Sequence, residues 1–76
     1  MPTEESKKRL TEIGKKVGRN IRKYRKRKKL TQTQLAELLN VSQVTISNWE
    51  NGKSSLSLND GIELVKLFGD DVLKIK

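Results

Sequence analysis

The sequence contains no cysteine and no histidine. Without thiols there is neither a disulfide nor a thiolate metal site, and without imidazole the usual general base and the commonest zinc ligand are both missing. No metal, no cofactor and no enzymatic activity are therefore expected. Apolar runs are only a few residues long, far short of the roughly 20 needed to cross a bilayer. The amino terminus also lacks the apolar segment of a signal peptide. These absences argue against a membrane partner and for a cytoplasmic location. Aromatic residues are limited to one Trp, one Tyr and one Phe, too few to build a platform for stacking RNA bases. A chain of 76 residues holds one domain with a modest core, and no internal repeat or low-complexity linker divides it.

Positive charge is abundant, and it is unevenly placed. The formal charge is +8, but residues 1–30 carry 13 Lys and Arg against three Glu, whereas residues 31–76 carry four Lys against six acids. A basic first third draws polyanions, whether DNA, RNA or acidic lipid, and the same composition suits a solvated helix. Thr3 with Glu4 and Glu5 reads as a helix start. Leu10, Ile13, Val17, Ile21 and Tyr24 then recur at spacings of three and four, one stripe of a helix. Lys15, Lys16, Arg19, Arg22, Lys23, Lys26 and Arg27 fill its other faces. Gly14 and Gly18 each cost about 1 kcal/mol against Ala in a helix interior. Either the helix frays before Gly18 or the glycines admit another element at close range.

Thr31-Gln32-Thr33-Gln34 has the form of a capping box. It predicts a second helix with Leu35, Ala36, Leu38 and Leu39 inward, stopped by Asn40, a residue tolerant of left-handed backbone. Ser42 is the expected N-cap of a third helix, with Ile46 and Trp49 facing inward beside Val41, and Asn51-Gly52 ends it. The residues around Asn51-Gly52 do not alternate apolar and polar, which excludes a β-hairpin there. After a loop over residues 53–56, Ser57 and Asp60 start a fourth helix with Ile62, Leu64, Val65, Leu67 and Phe68 on one face, closed by Gly69. Asp70 is the expected cap of a final short turn carrying Val72, Leu73 and Ile75. The predicted fold is an all-α bundle of about five helices.

Two short helices, Gln32 to Leu39 and Gln43 to Asn51, joined by a turn of a few residues form a helix-turn-helix, whose second helix fits a major groove. Removing the core residues of the third helix leaves Gln43, Val44, Thr45, Ser47 and Asn48 as its surface. Over about residues 17–73 the chain resembles the phage repressor and Cro-like (Xre-type) helix-turn-helix family. The resemblance rests on Ile21, Arg25, the Leu30-Thr31-Gln32 run, Leu35-Ala36, Val41-Ser42, Ile46-Ser47, Trp49-Glu50, Asn51-Gly52, Ser57, Leu58 and Gly69. Lys29 stands where that family usually has Gly, Leu56 replaces a common Pro, and Gly61 replaces an apolar residue. On this reading residues 1–16 are a basic arm and the start of the first helix, and residues 17–76 the helix-turn-helix domain.

The resemblance implies binding of double-stranded DNA, as a homodimer on successive major grooves, by a transcriptional regulator, a repressor by preference, of bacterial, archaeal or phage origin. It implies base contacts from Gln43, Val44 and Asn48, since Gln and Asn pair bidentately with adenine and Val meets a thymine methyl. Thr45 and Ser47 are weaker candidates for the same role: Thr45 suits a helix terminus and Ser47 a solvated surface. Phosphate contacts are implied for Thr31 and Gln32 at a helix start, and for Asn51, Lys53, Ser54 and Ser55, which are also ordinary turn residues. Gln32 would also support Gln43. Arg25 and Glu50 would form an ion pair between the first and third helices, with Arg25 also turned toward a phosphate. Trp49 is expected in the core. Two other readings compete: an antitoxin-like or bridging module whose main partner is a protein, and a surface helix over residues 7–29 bound to membrane or RNA.

Overall fold

The computed structural model describes the backbone of residues 4–74 and the side chains of residues 12–74. It contains α1 (Glu4–Arg27), α2 (Gln32–Leu39), α3 (Gln43–Glu50), α4 (Leu58–Phe68) and a closing 3-10 turn (Asp70–Leu73), with no strand among the described residues. The expected cap Thr3, the side chain of Leu10, and Ile75 lie outside the described residues.

Local chemistry sets each helix start. Thr31 accepts a hydrogen bond from the Gln34 amide while the Gln34 side chain accepts from the Thr31 amide, the reciprocal capping box. Ser42 accepts from the Thr45 amide. Ser57 accepts from the Asp60 amide and donates its hydroxyl proton to the Asp60 carboxylate. Each cap satisfies amides that a helix start leaves unpaired, and each is worth about 1 kcal/mol.

Three of the helix ends are closed in the same way. After α1, Lys29 turns to φ 59°, its amide bonds to the Lys26 carbonyl and the Leu30 amide to that of Arg25. Asn40 at φ 57° repeats the pattern after α2, as does Gly52 at φ 70° after α3. These are Schellman closures, which place one residue in the left-handed region. α4 ends differently, at Gly69 with φ 95°. The fifth helix expected from the sequence is only the four-residue 3-10 turn, preceded by Gly69 and without a side-chain cap from Asp70.

Ile21, Leu35, Ala36, Ile46, Trp49, Leu64 and Val72 form the buried core, and each large aliphatic among them contributes about 1.5–3 kcal/mol by leaving water. Tyr24 and Phe68 stack at its edge, ring centroids 6.0 Å apart. Two inward assignments are corrected: Leu38 is 58% exposed, and Ile62, on the rim of its helix face, is 44% exposed. At about 100° per residue, Leu35, Ala36 and Leu39 share one side of α2 while Leu38 falls roughly 100° from its centre. Ile13 of the first-helix stripe is likewise 44% exposed.

α1 is unbroken through both glycines. A Cβ on Gly18 would lie 2.7 Å from the Glu50 carbonyl oxygen and closer still to that of Trp49, so α1 crosses the end of α3 at backbone range. Gly14 is less tightly placed, with the Gly52 carbonyl oxygen 3.7 Å from such a Cβ. Close approach is therefore the role of Gly18.

Candidate nucleic-acid interface

α2 and α3 are joined by residues 40–42, so the Asn40 closure leads almost directly into the Ser42 cap. This tight connection fixes the start of α3 as a projecting end. Gln43 and Val44 are exposed there, Val44 at 62%, while Thr45, Ser47 and Asn48 are half-buried. The opposite face, Ile46 and Trp49, is buried, so Trp49 is a core residue.

A line of polar contacts holds this end. Gln43 Nε2 donates to Gln32 Oε1 at 2.6 Å, and Gln32 Nε2 donates to Glu50 Oε1 at 3.2 Å. Glu50 also receives Arg25 Nε at 2.7 Å and Arg25 Nη2 at 3.1 Å, a two-pronged ion pair. Arg25 Nη1 donates to the Leu30 carbonyl at 2.7 Å. Arg25 and Glu50 are each 8% exposed, and no buried side-chain nitrogen or oxygen among the described residues lacks a partner. A buried pair so fully bonded aligns α1, α2 and α3 more than it stabilises the fold. It also leaves little of the Arg25 guanidinium facing solvent.

The other candidate residues divide by environment. The Thr31 hydroxyl serves the capping box. Thr45 Oγ1 lies 2.8 Å from Ser42 Oγ, in the helix-terminus role weighed for it. Ser47 Oγ accepts from Asn51 Nδ2 at 3.4 Å. Asn48 makes no side-chain hydrogen bond among the described residues. Asn51, Lys53, Ser54 and Ser55 are exposed after α3, and Gly52 passes beneath Lys15, whose Cγ would be 2.8 Å from a Cβ there.

The family resemblance paired Glu50 with Arg25 and Gln32 with Gln43, but not Gln32 with Glu50. Residues 18 positions apart leave no local pattern, so that link has no sequence signal. The contact at Gly18 had one, a pair of glycines four apart on one helix face. Among the described residues no group of His, Cys, Asp or Glu could hold a metal ion, and no helix is long and apolar enough to cross a membrane. In comparison with known proteins, the profile of a family described as helix-turn-helix matches residues 21–69. No curated protein and no solved structure matches the chain.

Proposed function

This chain belongs to the helix-turn-helix family, whose members are DNA-binding regulators of transcription, and on that premise we propose that it reads specific duplex sequences with α3 in the major groove and represses transcription by occupying a promoter. The observation that carries this reading is Gln43, exposed at the first turn of α3 and held by Gln32. DNA-reading positions of the motif sit at that turn. Gln43 and Asn48 pair with adenine edges and Val44 meets a thymine methyl, with Thr45 and Ser47 beside them. The start of α2 at Thr31 and Gln32, and the loop of Asn51, Lys53, Ser54 and Ser55, hold the flanking phosphates. Arg25 and Glu50 set the angle of α3.

The protein binds as a homodimer, its two reading helices about 34 Å apart on one face of the duplex. Supporting this is an apolar surface on α4, where Leu58 is 81% and Ile62 44% exposed, bordering a groove with Leu56, Val65 and Leu73. Selection from a random duplex library at about 150 mM salt, where purely electrostatic capture is screened, tests the proposal. A palindrome with half-sites about 10 base pairs apart is expected. A bound pool without enrichment refutes base reading and turns attention to a protein partner.

A further inference from the structure

The exposed cations of α1 form one band round the helix, with one end toward α3 and the other turned away from it. Taking Gly18 as the direction of α3, Arg22, Lys15 and Lys26 lie within roughly 80° of it. Lys16, Arg19, Lys23 and Arg27 lie between roughly 100° and 180° round the helix. Lys16, Arg19 and Lys23 of the second group border a polar cleft between α1 and the 3-10 turn, where Lys74 forms the facing wall. Asn20 Nδ2 donates to the Lys74 carbonyl at 2.8 Å, tying the walls together. Among the described residues the one carboxylate in the cleft, Asp71, is held by Lys74 at 3.2 Å. Among the described residues no carboxylate lies within ion-pair distance of Lys16, Arg19 or Lys23.

We propose that this cleft binds the phosphate backbone of a second nucleic-acid duplex, so that one protein joins two DNA segments, one at α3 and one across the far side of α1. The joining rests on α3 holding the first duplex; the cleft's affinity for a phosphate strand does not. Four unpaired or loosely paired cations around one cleft have a polyanion as their natural complement. Their arrangement favours a strand over a lone phosphate. Lys16 to Lys23 spans about 10 Å along the helix axis, and Arg27, lying over Tyr24 at 5.3 Å, extends the row to about 16 Å. Lys16, Arg19, Asn20, Asp71 and Lys74 fall outside the segment that the family profile matches, while Lys23 and Tyr24 fall within it.

A capture assay tests this. Random-sequence duplex on beads is loaded with protein, washed, and offered a second, fluorescent duplex. Wild-type protein is expected to retain the second duplex. Replacing all three helix cations (K16Q, R19Q, K23Q) is expected to cut retention at least about tenfold and to flatten its salt dependence by roughly three charges. All three side chains are exposed and Gln is a good helix former, so the melting temperature should hold. K74Q, from the opposite wall, should weaken capture in the same direction. An equal change on the near side (K15Q, R22Q, K26Q) should leave capture intact per protein bound.

Absence of second-duplex capture by wild-type protein overturns the proposal. Capture that survives the cleft variant does so as well, because two reading heads of a dimer would then account for it. Displacement of the second duplex by low-millimolar ATP, but not by matched chloride, would reassign the cleft to a small phosphorylated ligand. The library selection reports separately on α3: a selected palindrome without capture sinks the cleft alone, and cleft-dependent capture without a selected sequence sinks the reading helix alone.

Discussion

The crossing of α1 over the end of α3 predicts opposite outcomes for one substitution made at two positions on the same helix. Gly14→Ala adds a methyl 3.7 Å from the Gly52 carbonyl oxygen, an ordinary contact. It therefore gains the full helix-propensity difference of about 0.8–1 kcal/mol. Gly18→Ala gains the same propensity but drives the methyl against the Trp49 and Glu50 carbonyl oxygens. Those are backbone atoms that cannot rotate away, and overpacking of this kind costs about 1–3 kcal/mol. Two backbone oxygens under 3.0 Å from the methyl put the cost in the upper part of that range, about 2–3 kcal/mol, so the expected net loss is about 1–2 kcal/mol. In a domain of this size 1 kcal/mol moves Tm by about 4–8 °C. Thermal melts followed by far-UV circular dichroism should show Gly14→Ala rising by about that amount and Gly18→Ala falling by on the order of 5–15 °C. A Gly18→Ala protein that melts at or above the parent would refute the close crossing and favour a first helix that frays before residue 18.

Two further substitutions probe the site and its supports. Glu50→Ala strands the buried Arg25 guanidinium and should cost about 3–5 kcal/mol while weakening DNA binding, as read by urea denaturation and fluorescence anisotropy; unchanged values in both would exclude the aligning role of the pair. Lys29→Gly relieves a left-handed residue at φ 59°. The relief of about 1–2 kcal/mol outweighs the added freedom of the unfolded chain, about 0.4–1 kcal/mol, so Tm should rise, and a fall would show that the Lys29 side chain is itself stabilising.

The legible parts of the fold were those written in neighbouring residues. Caps at Thr31, Ser42 and Ser57 pair groups three positions apart, and Asn40, Gly52 and Gly69 are residue types suited to positive φ. Lys29 occupies the same left-handed position with nothing in its chemistry to announce it, and only the family resemblance marked it. Periodicity identified α2 as amphipathic but admitted Leu38 to its buried side, because the limit of a buried face is set by the neighbouring helices and not by the helix itself. The surface of α3 was similarly legible, since removing Ile46 and Trp49 leaves the remainder facing outward. What supports that surface was less so: Glu50 reaches Gln32 only because α1, α2 and the end of α3 converge.

That convergence gives the line from Glu50 to Gln43 a polarity. A carboxylate only accepts hydrogen bonds, so Glu50 compels Gln32 to turn its amide nitrogen inward and its oxygen outward, and the outward oxygen compels Gln43 to offer nitrogen in return. Neither amide can flip without setting like against like. Under the proposed reading, Gln43 reaches the groove with one acceptor and one remaining N–H in a fixed order, and with much of its side-chain freedom, about 1.5–2 kcal/mol for a fully immobilised Gln, given up before any base arrives. Adenine presents a donor and an acceptor to match, whereas guanine presents two acceptors. Under that reading, a charge buried at the far end of α3 fixes which way round the exposed amide meets a base.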